Sequence, residues 1–232
     1  MCIRDRPSSD DINNLKSNSL LIGILNPYEN KSEFSNLNKN KISSCCMELI
    51  PRISRAQSMD VLSSQANLAG YRSVIDAAEQ FGKAFPMMMT AAGRVNPAKV
   101  MILGVGVAGL QAIATAKRLG AVVSATDVRA ATKEQVESLG GKFIMVEDDE
   151  AENAETAGGY AKEMSEDYKK KQAQLIAETV SKQDIVICTA LIPGKKAPVL
   201  ITEEMVSSMI PGSVVIDLAV EAGGNCPLSK MN

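Results

Sequence analysis

The chain has 232 residues, of which 45% are hydrophobic and only 3% are aromatic, so small aliphatic side chains must pack its core. A formal net charge of −2 excludes the basic excess that would attract nucleic acid or an anionic membrane surface. Five cysteines without a C-x-x-C pair, and no histidine, argue against a zinc site, so we expect no metal. The odd number of cysteines favours a reducing compartment.

The first part of the chain predicts an incomplete α/β domain. Residues 1–6 resemble translated adapter sequence rather than native protein, and we exclude them from the fold prediction. Residues 11–16 predict a short helix, and residues 20–25 predict a buried strand. The polar segment of residues 28–44 predicts surface structure. We therefore assign residues 7–62 to the C-terminal part of a first α/β domain.

A long helix is predicted next, because apolar residues recur at a spacing of three and four. The predicted apolar face consists of Leu68, Tyr71, Val74, Ile75, Ala78, Phe81 and Phe85. Pro86 ends or kinks this helix, and residues 93–97 predict a loop. We expect residues 63–97 to connect the first domain to a second one.

The second domain is predicted to begin with a strand, a glycine turn and a helix. Residues 100–103 predict the strand, and residues 110–119 predict a helix that Gly120 ends. The turn has the pattern G-x-G-x-x-G and consists of Gly104, Val105, Gly106, Val107, Ala108 and Gly109. In dinucleotide-binding domains the first glycine makes a tight turn, the second admits a pyrophosphate and the third lets the helix pack closely. Free N–H groups at the helix N-terminus attract the same anion.

An acidic residue follows at the spacing of a ribose ligand. Residues 122–126 predict a second strand, and Asp127 comes directly after it, 23 residues beyond Gly104. A carboxylate there accepts hydrogen bonds from the ribose hydroxyls and repels a 2′-phosphate, whereas Arg129 can receive that phosphate. We favour dinucleotide binding over an ordinary buried turn, and NAD(H) over NADP(H), with Asp127, Val128 and Arg129 contacting the cofactor.

Three further strands complete the predicted sheet. Short apolar runs predict strands at residues 142–146, 184–188 and 213–218, with helices at residues 162–181 and 201–209. A capping-box pattern at Thr132 opens the helix after the second strand. The alternation predicts a Rossmann-type doubly wound parallel sheet over residues 98–232, with strand order 3-2-1-4-5. Because no sixth strand precedes Asn232, we expect this domain to be truncated and the chain to be a fragment.

Several segments match one protein family. They are residues 52–60, 62–71, 104–129, 157–164, 189–194 and 217–226. Through them, the chain from Met47 onward resembles proton-translocating NAD(P) transhydrogenase, specifically the extrinsic NAD(H)-binding part of its alpha subunit. The resemblance implies direct hydride transfer from NADH to NADP⁺, which a separate domain holds, coupled to proton translocation. Because hydride passes directly between two nicotinamide rings, the absence of histidine is no obstacle.

The resemblance assigns two sets of residues to the site. The catalytic set, in a loop expected to lie over the nicotinamide, is Arg52, Gln57, Asp60 and Ser63. The cofactor-binding set comprises the glycine turn, the residues after the second strand, and also Tyr160, Thr189, Ala190 and Leu191. Tyr160 belongs to a loop that, by the resemblance, is mobile and closes over the bound nucleotide.

Four of these residues also have plainer interpretations. Gln57 can be the third residue of a capping box with Ser54, which is a purely structural role. Arg52 and Asp60 can form an ordinary surface ion pair, and Tyr160 can be an exposed loop tyrosine. The resemblance favours the functional interpretation.

The resemblance also implies partners and a location. We expect the NADP(H)-binding domain and the membrane domain of a transhydrogenase as partners, a homodimer of this part, and attachment at the cytoplasmic face of the bacterial inner membrane. Two rival functions are alanine dehydrogenase, which shares the architecture, and a regulatory module that binds NAD(H) without catalysis. Alanine dehydrogenase needs groups that handle an imine and a carboxylate, typically a lysine and a histidine, and this chain has no histidine.

Overall fold

A computed structural model describes residues 6–51, 53–146, 165–192 and 194–231 of the chain. The chain divides into two compact units, the first ending at Gln65 and the second beginning at Ala66. Within the described ranges, no helix is both long enough and apolar enough to span a bilayer.

The first unit is built on two parallel strands joined by a helix. Its elements are α1 (Ser9–Asn13), β1 (Leu20–Gly23), α2 (Lys31–Lys39) and β2 (Ser43–Cys46). Strand β2 pairs with β1 in parallel register. Ile12, Leu37 and Ile42 form a small core beside these strands. Two short 3-10 helices follow, over Met47–Leu49 and Ser54–Met59.

One prediction for this unit is confirmed and one is wrong. The segment of residues 28–44, predicted as polar surface, is exposed along most of its length, although it contains α2 and the start of β2. Its two buried side chains are Leu37 and Ile42. The strand predicted as buried is exposed on one face, since Leu20 and Ile22 are 61% and 59% exposed.

The long helix α3 (Val61–Gln80) buries a face that matches the predicted one only in part, since Val74, predicted to face the core, is fully buried. Its buried residues are Gly70, Ser73, Val74 and Ala77. Leu68 and Tyr71, predicted to face the core, are exposed. Small residues occupy the buried face because the helix lies very close to its neighbour: a Cβ at Gly70 would be 2.1 Å from the carbonyl oxygen of Ala108.

A turn and a hairpin follow α3. Phe81 and Phe85, assigned to the helix by the prediction, are buried beyond its end and stack edge to face, with ring centroids 6.1 Å apart. Strand β3 (Met88–Thr90) pairs antiparallel with β4 (Gly93–Val95). The prediction of a loop over residues 93–97 is therefore wrong for its first three residues, which form the exposed strand β4.

The second unit contains a doubly wound parallel sheet, as predicted. Its strands are β5 (Lys99–Leu103), β6 (Val122–Thr126), β7 (Lys142–Phe143), β8 (Ile185–Cys188) and β9 (Val214–Asp217). Their spatial order is β7-β6-β5-β8-β9, which confirms the predicted order 3-2-1-4-5. Strand β5 pairs with both β6 and β8, and its last four residues are fully buried.

Helices cover both faces of this sheet. They are α4 (Val107–Arg118), α5 (Thr132–Ser138), α6 (Glu166–Val180) and α7 (Glu203–Ser207). Val100 and Ile102 of β5 pack in a cluster with residues of α4. Met101 and Leu103 pack in a second cluster with residues of α6 and α7. The alternation of side chains along β5 therefore separates two hydrophobic layers.

Three local predictions differ from the structure or fall outside it. Thr132 does not open a capping box, because it is the first helical residue of α5 and its hydroxyl donates to the carbonyl of Arg129 at 2.8 Å. The third strand, predicted over residues 142–146, is shorter, since β7 comprises Lys142–Phe143. The predicted start of the helix at Lys162 lies outside the described residues, which resume just before α6.

Candidate functional site

The glycine turn lies at the carboxyl end of β5, between that strand and α4. Gly104 has a left-handed backbone (φ +95°), and a Cβ there would lie 2.9 Å from Thr189 Oγ1. Gly109 is equally confined, because its Cβ would lie 2.0 Å from the carbonyl oxygen of Gly104. At Gly106, by contrast, no atom of the described residues lies within 4 Å of the missing Cβ. The first and third glycines are therefore needed for packing, and the second leaves the backbone open to a ligand.

The N-terminus of α4 adds hydrogen-bond donors to this opening. The helix has 12 residues and begins at Val107, directly after Gly106. In the described part of the chain no side chain caps this end, so the first backbone N–H groups can bind an anion. The turn and the helix end together form a cradle that fits a diphosphate group.

Asp127, the candidate ribose ligand, ties the glycine turn to Arg129. Its Oδ2 accepts hydrogen bonds from the backbone N–H of Val105 at 2.7 Å and from Nη2 of Arg129 at 2.9 Å. Its Oδ1 accepts from the backbone N–H and from Nε of Arg129, both at 2.9 Å. The side chains of Asp127 and Arg129 are 7% and 16% exposed, and Val128 between them is half-buried. The two opposite charges thus compensate each other in a bidentate pair.

The segment after β8 packs against the same turn. Thr189 donates from its backbone N–H to the carbonyl of Leu103 and from Oγ1 to the carbonyl of Gly104, both at 2.8 Å. The backbone nitrogen of Ala190 lies 3.0 Å from the position that a Cβ on Gly104 would take. Leu191 follows with an exposed side chain. The structure therefore brings this predicted segment beside the glycine turn.

In the first unit, two residues of the predicted catalytic set bond to each other. The carboxylate of Asp60 accepts from the backbone N–H of Ser63 at 2.9 Å and from its hydroxyl at 2.6 Å. This is an N-cap arrangement for α3, which begins at Val61. Arg52 and Tyr160 lie outside the described residues, so their roles stay predictions.

Gln57 is exposed in the 3-10 helix Ser54–Met59. The N-cap residue of that helix is Ile53, and among the described residues no side-chain bond caps this end. The plainer interpretation, a capping box formed by Ser54 and Gln57, is therefore wrong. The catalytic role of Gln57 stays a prediction.

The sequence analysis missed one buried polar residue at the carboxyl edge of the sheet. Asn225 has no exposed surface, and its side chain bonds to the main chain of Ala190. The available signal was the glycine pair before it, because Gly223 and Gly224 adopt left-handed backbones (φ +98° and +76°) that bulkier residues avoid. Two such glycines in a row indicate a tight turn that places the next residue.

The four cysteines that the structure describes are free thiols. Among the described residues, no group of three or more His, Cys, Asp or Glu side chains is arranged to hold a metal ion. Cys188 is fully buried in β8, and burial, assisted by Asp217 and Cys226, raises the pKa of its thiol well above the usual range. Burial, together with Glu48 and Cys45, also raises the pKa of Cys46. A raised pKa keeps a thiol protonated and unreactive near neutral pH.

Family models match both units of the chain. The family described as alanine dehydrogenase/PNT, C-terminal domain, matches residues 73–232, and the corresponding N-terminal domain matches residues 3–69.

Individual relatives agree with this match. The first portion of NAD(P) transhydrogenase subunit alpha from Rhodospirillum rubrum is 67% identical over 222 residues, which cover 96% of this chain and 58% of the relative. Alanine dehydrogenase of Bacillus subtilis is 32% identical over 178 residues, which cover 74% of this chain and 40% of the relative. A crystal structure of transhydrogenase from Sinorhizobium meliloti has a TM-score of 0.87 and 57% identity, covering 97% of this chain and 60% of that one. The chain thus spans less than two thirds of the length of each.

Proposed function

Because the chain belongs to the alanine dehydrogenase/PNT family, we propose that it binds NAD(H) at the carboxyl edge of its five-stranded sheet and supplies the NADH side of a transhydrogenase. In that reaction hydride passes from NADH to NADP⁺ on a separate domain, and a membrane domain couples the transfer to proton translocation. The observation that carries the proposal is the open backbone at Gly106, flanked by the N-terminus of α4 and by Asp127.

The residues at this edge would share the work of holding the dinucleotide. The backbone from Gly104 to Gly109 and the first N–H groups of α4 would receive the pyrophosphate. Asp127 would accept from the ribose hydroxyls, and because four hydrogen bonds already use its oxygens, the ribose would replace at least one bond from Arg129. Bound NADH supplies the hydride itself, so the protein acts by orienting the nicotinamide and excluding water.

The pairing of Asp127 with Arg129 supports NAD(H) over NADP(H). A 2′-phosphate at this position would meet the negative charge of Asp127. Arg129, the residue that could attract that phosphate, is held 2.9 Å from the carboxylate and is neutralised by it. The pair as a whole therefore offers no net positive charge to a phosphate.

Transhydrogenation is favoured over alanine dehydrogenation. The transhydrogenase relative shares about twice the sequence identity of the alanine dehydrogenase relative, 67% against 32%. The resemblance of residues 52–60 to transhydrogenase also argues against alanine dehydrogenation. A regulatory module would bind NAD(H) in the same way but transfer no hydride, so a transfer assay separates it from this proposal.

The catalytic set and the partners belong to the same proposal. Arg52, Gln57, Asp60 and Ser63 would orient the nicotinamide, and Tyr160 would close over the nucleotide. The partners would be the NADP(H)-binding domain and the membrane domain, with a second copy of this chain forming a homodimer at the cytoplasmic face of a bacterial inner membrane. The relative from Rhodospirillum rubrum is named as the first portion of a subunit alpha, which supports an assembly of several chains.

The test combines nucleotide binding with hydride transfer. In fluorescence titrations, we expect the chain to bind NADH at lower concentrations than NADPH. A version extended to the length of the transhydrogenase relatives, mixed with a purified NADP(H)-binding domain, should transfer hydride from NADH to NADP⁺. Equal affinities for the two reduced nucleotides would contradict the cofactor assignment, and binding without any transfer would favour the regulatory module.

A further inference from the structure

Asn225 connects the loops that follow β8 and β9 at the carboxyl edge of the sheet. Its side chain is fully buried. Its Nδ2 donates to the carbonyl oxygens of Ala190 at 2.9 Å and Pro198 at 2.7 Å, and its Oδ1 accepts from the N–H of Ala190 at 3.1 Å. One carboxamide therefore satisfies both backbone polar groups of Ala190, as a neighbouring strand would.

The backbone of Asn225 is anchored as well. Its N–H donates to Oδ2 of Asp217, the last residue of β9, at 2.8 Å. Its carbonyl accepts from the N–H groups of Leu200 at 2.9 Å and Ile201 at 3.1 Å. The turn before it is tight, because a Cβ on Gly224 would lie 2.9 Å from Asp217 Oδ2. Asn225 is thus fixed to the end of β9 and cannot shift without breaking these bonds.

The residue that Asn225 holds lies against the glycine turn. The backbone nitrogen and Cα of Ala190 lie 3.0 and 3.2 Å from the place that a Cβ on Gly104 would occupy. Thr189, one residue earlier, donates to the carbonyl of Gly104 at 2.8 Å. A continuous series of contacts therefore runs from Asp217 through Asn225 and Ala190 to the first glycine of the turn.

We infer that Asn225 is a positioning residue of the nucleotide site, which places Ala190 and so shapes the glycine turn on its β8 side. The inference rests on the proposed function. In a doubly wound sheet the two halves of a dinucleotide bind on opposite sides of the first strand. Asp127 lies on the β6 side of β5, and Asn225 acts on the β8 side. Loss of Asn225 weakens binding of the whole dinucleotide and spares its adenosine half.

The three partners of the side chain require a carboxamide. Asn225→Asp keeps the shape but replaces both donors by an acceptor that faces the carbonyls of Ala190 and Pro198. It also adds a buried charge close to Asp217. Asn225→Ala removes all three side-chain hydrogen bonds, so the N–H and the carbonyl of Ala190 lose the bonds that they make to Asn225.

The experiment measures dissociation constants for NADH and for 5′-AMP on the 232-residue chain and on both variants, with the folded fraction checked by circular dichroism. We expect the Kd of NADH to rise roughly tenfold and that of 5′-AMP to change by less than about twofold. Gln183→Ala is the matched control. That carboxamide is also buried, before the start of β8, and its Nε2 donates to the carbonyl of Thr179 at 3.1 Å. Its loss should lower stability without changing NADH affinity.

The outcomes separate this inference from the function on which it rests. An unchanged NADH affinity in a folded Asn225 variant, or equal losses for NADH and 5′-AMP, overturns the positioning role. If neither variant folds, Asp217→Asn gives the same comparison, because it keeps the carboxamide of Asn225 and weakens the hydrogen bond that anchors the backbone of Asn225. A loss of affinity for NADH but not for 5′-AMP supports the positioning role. Unchanged affinities, or equal losses, overturn it. Failure of the unmodified chain to bind NADH contradicts the proposed function instead.

Discussion

At the scale of single residues, Asp127 decides the charge that a bound ribose would meet. Its oxygens accept from Val105 and Arg129, so the carboxylate is both shielded and compensated. Asp127→Asn removes the negative charge of the pair. The positive charge of Arg129 is then no longer neutralised and can attract a 2′-phosphate. We expect the preference for NADH over NADPH to narrow by roughly 1–3 kcal/mol. Parallel fluorescence titrations with the two nucleotides measure the change.

Asp184→Asn is the matched control for that variant. Asp184 precedes β8, at the opposite edge of the sheet, and its carboxylate accepts from the backbone N–H of Lys99 at 2.9 Å. Its replacement should leave the ratio of the two affinities unchanged. The same ratio in Asp127→Asn as in the unmodified chain would show that this carboxylate does not select the cofactor.

Variants of Gln57 and Asp60 distinguish an effect on the orientation of the nicotinamide ring from an effect on the stability of the fold. Gln57 is exposed, whereas Asp60 caps α3 through two hydrogen bonds from Ser63. Gln57→Ala should keep the melting temperature and NADH affinity but lower the hydride-transfer rate, on the order of 10²-fold if the ring moves by about 1 Å. Asp60→Ala should lower the rate and also cost about 1 kcal/mol of unfolding free energy, because the cap is lost.

Thermal denaturation and transfer assays on the extended chain distinguish these effects. A Gln57→Ala variant with an unaltered rate would remove Gln57 from the catalytic set. A loss of NADH affinity in both variants would instead identify the loop as a binding anchor.

At the scale of elements, one glycine determines how closely α3 approaches α4. A Cβ at Gly70 would lie 2.1 Å from the carbonyl oxygen of Ala108, in the first turn of the helix that follows the glycine turn. Gly70→Ala must therefore push the two helices apart, and we expect the unfolding free energy to fall by about 2 kcal/mol. The same displacement should weaken NADH binding. Urea denaturation measures the first effect and titration the second.

Gly82→Ala provides the comparison, since none of the described atoms lies within 4 Å of a Cβ at Gly82. That substitution should leave stability unchanged or raise it by up to about 1 kcal/mol, because alanine restricts the unfolded chain. If both substitutions had the same effect, close packing at Gly70 would not be the cause.

The cysteines report on the packing of the strands. Burial raises the pKa of Cys188 well above its usual range, so its thiolate is disfavoured, and Cys226 is also buried. With a thiol-specific disulfide reagent near pH 8, we expect the exposed Cys45 to react quickly and these two cysteines to react only after denaturation. Because the folded chain keeps the Cys188 thiol protonated to a higher pH than the unfolded chain does, this thiol lowers the free energy of unfolding once the pH rises above the ordinary thiol pKa, and has no such effect below it. In a chain that already carries Cys2→Ser, Cys45→Ser should abolish the fast phase.

At the scale of the whole molecule, the two rival enzymes differ in the reaction they support. A protein that only orients NADH for a second nicotinamide has no need of groups that act on an imine. We expect a version of the chain extended to the length of its relatives to show no turnover with NADH, pyruvate and ammonium, as followed by absorbance of NADH. Measurable formation of alanine would favour alanine dehydrogenase.

The sequence by itself determined the topology of the main sheet and much of the candidate cofactor site. Each strand is a short apolar run and each connection carries a helix, so the rule for right-handed crossovers leaves few arrangements. The carboxyl ends of parallel strands meet at one edge, which brings Gly104, Asp127 and Thr189 together. Local pattern and spacing suffice for these features, because they depend on chain direction rather than on particular contacts.

Only the tertiary structure decided which surfaces are buried. The spacing along α3 indicated Leu68 and Tyr71, but Gly70 faces the core because Ala108 lies against it. Asn225 escaped notice because its three side-chain partners belong to residues that are 27 and 35 positions away. The free energy of such contacts depends on neighbours distant in the chain, and periodicity contains no information about them.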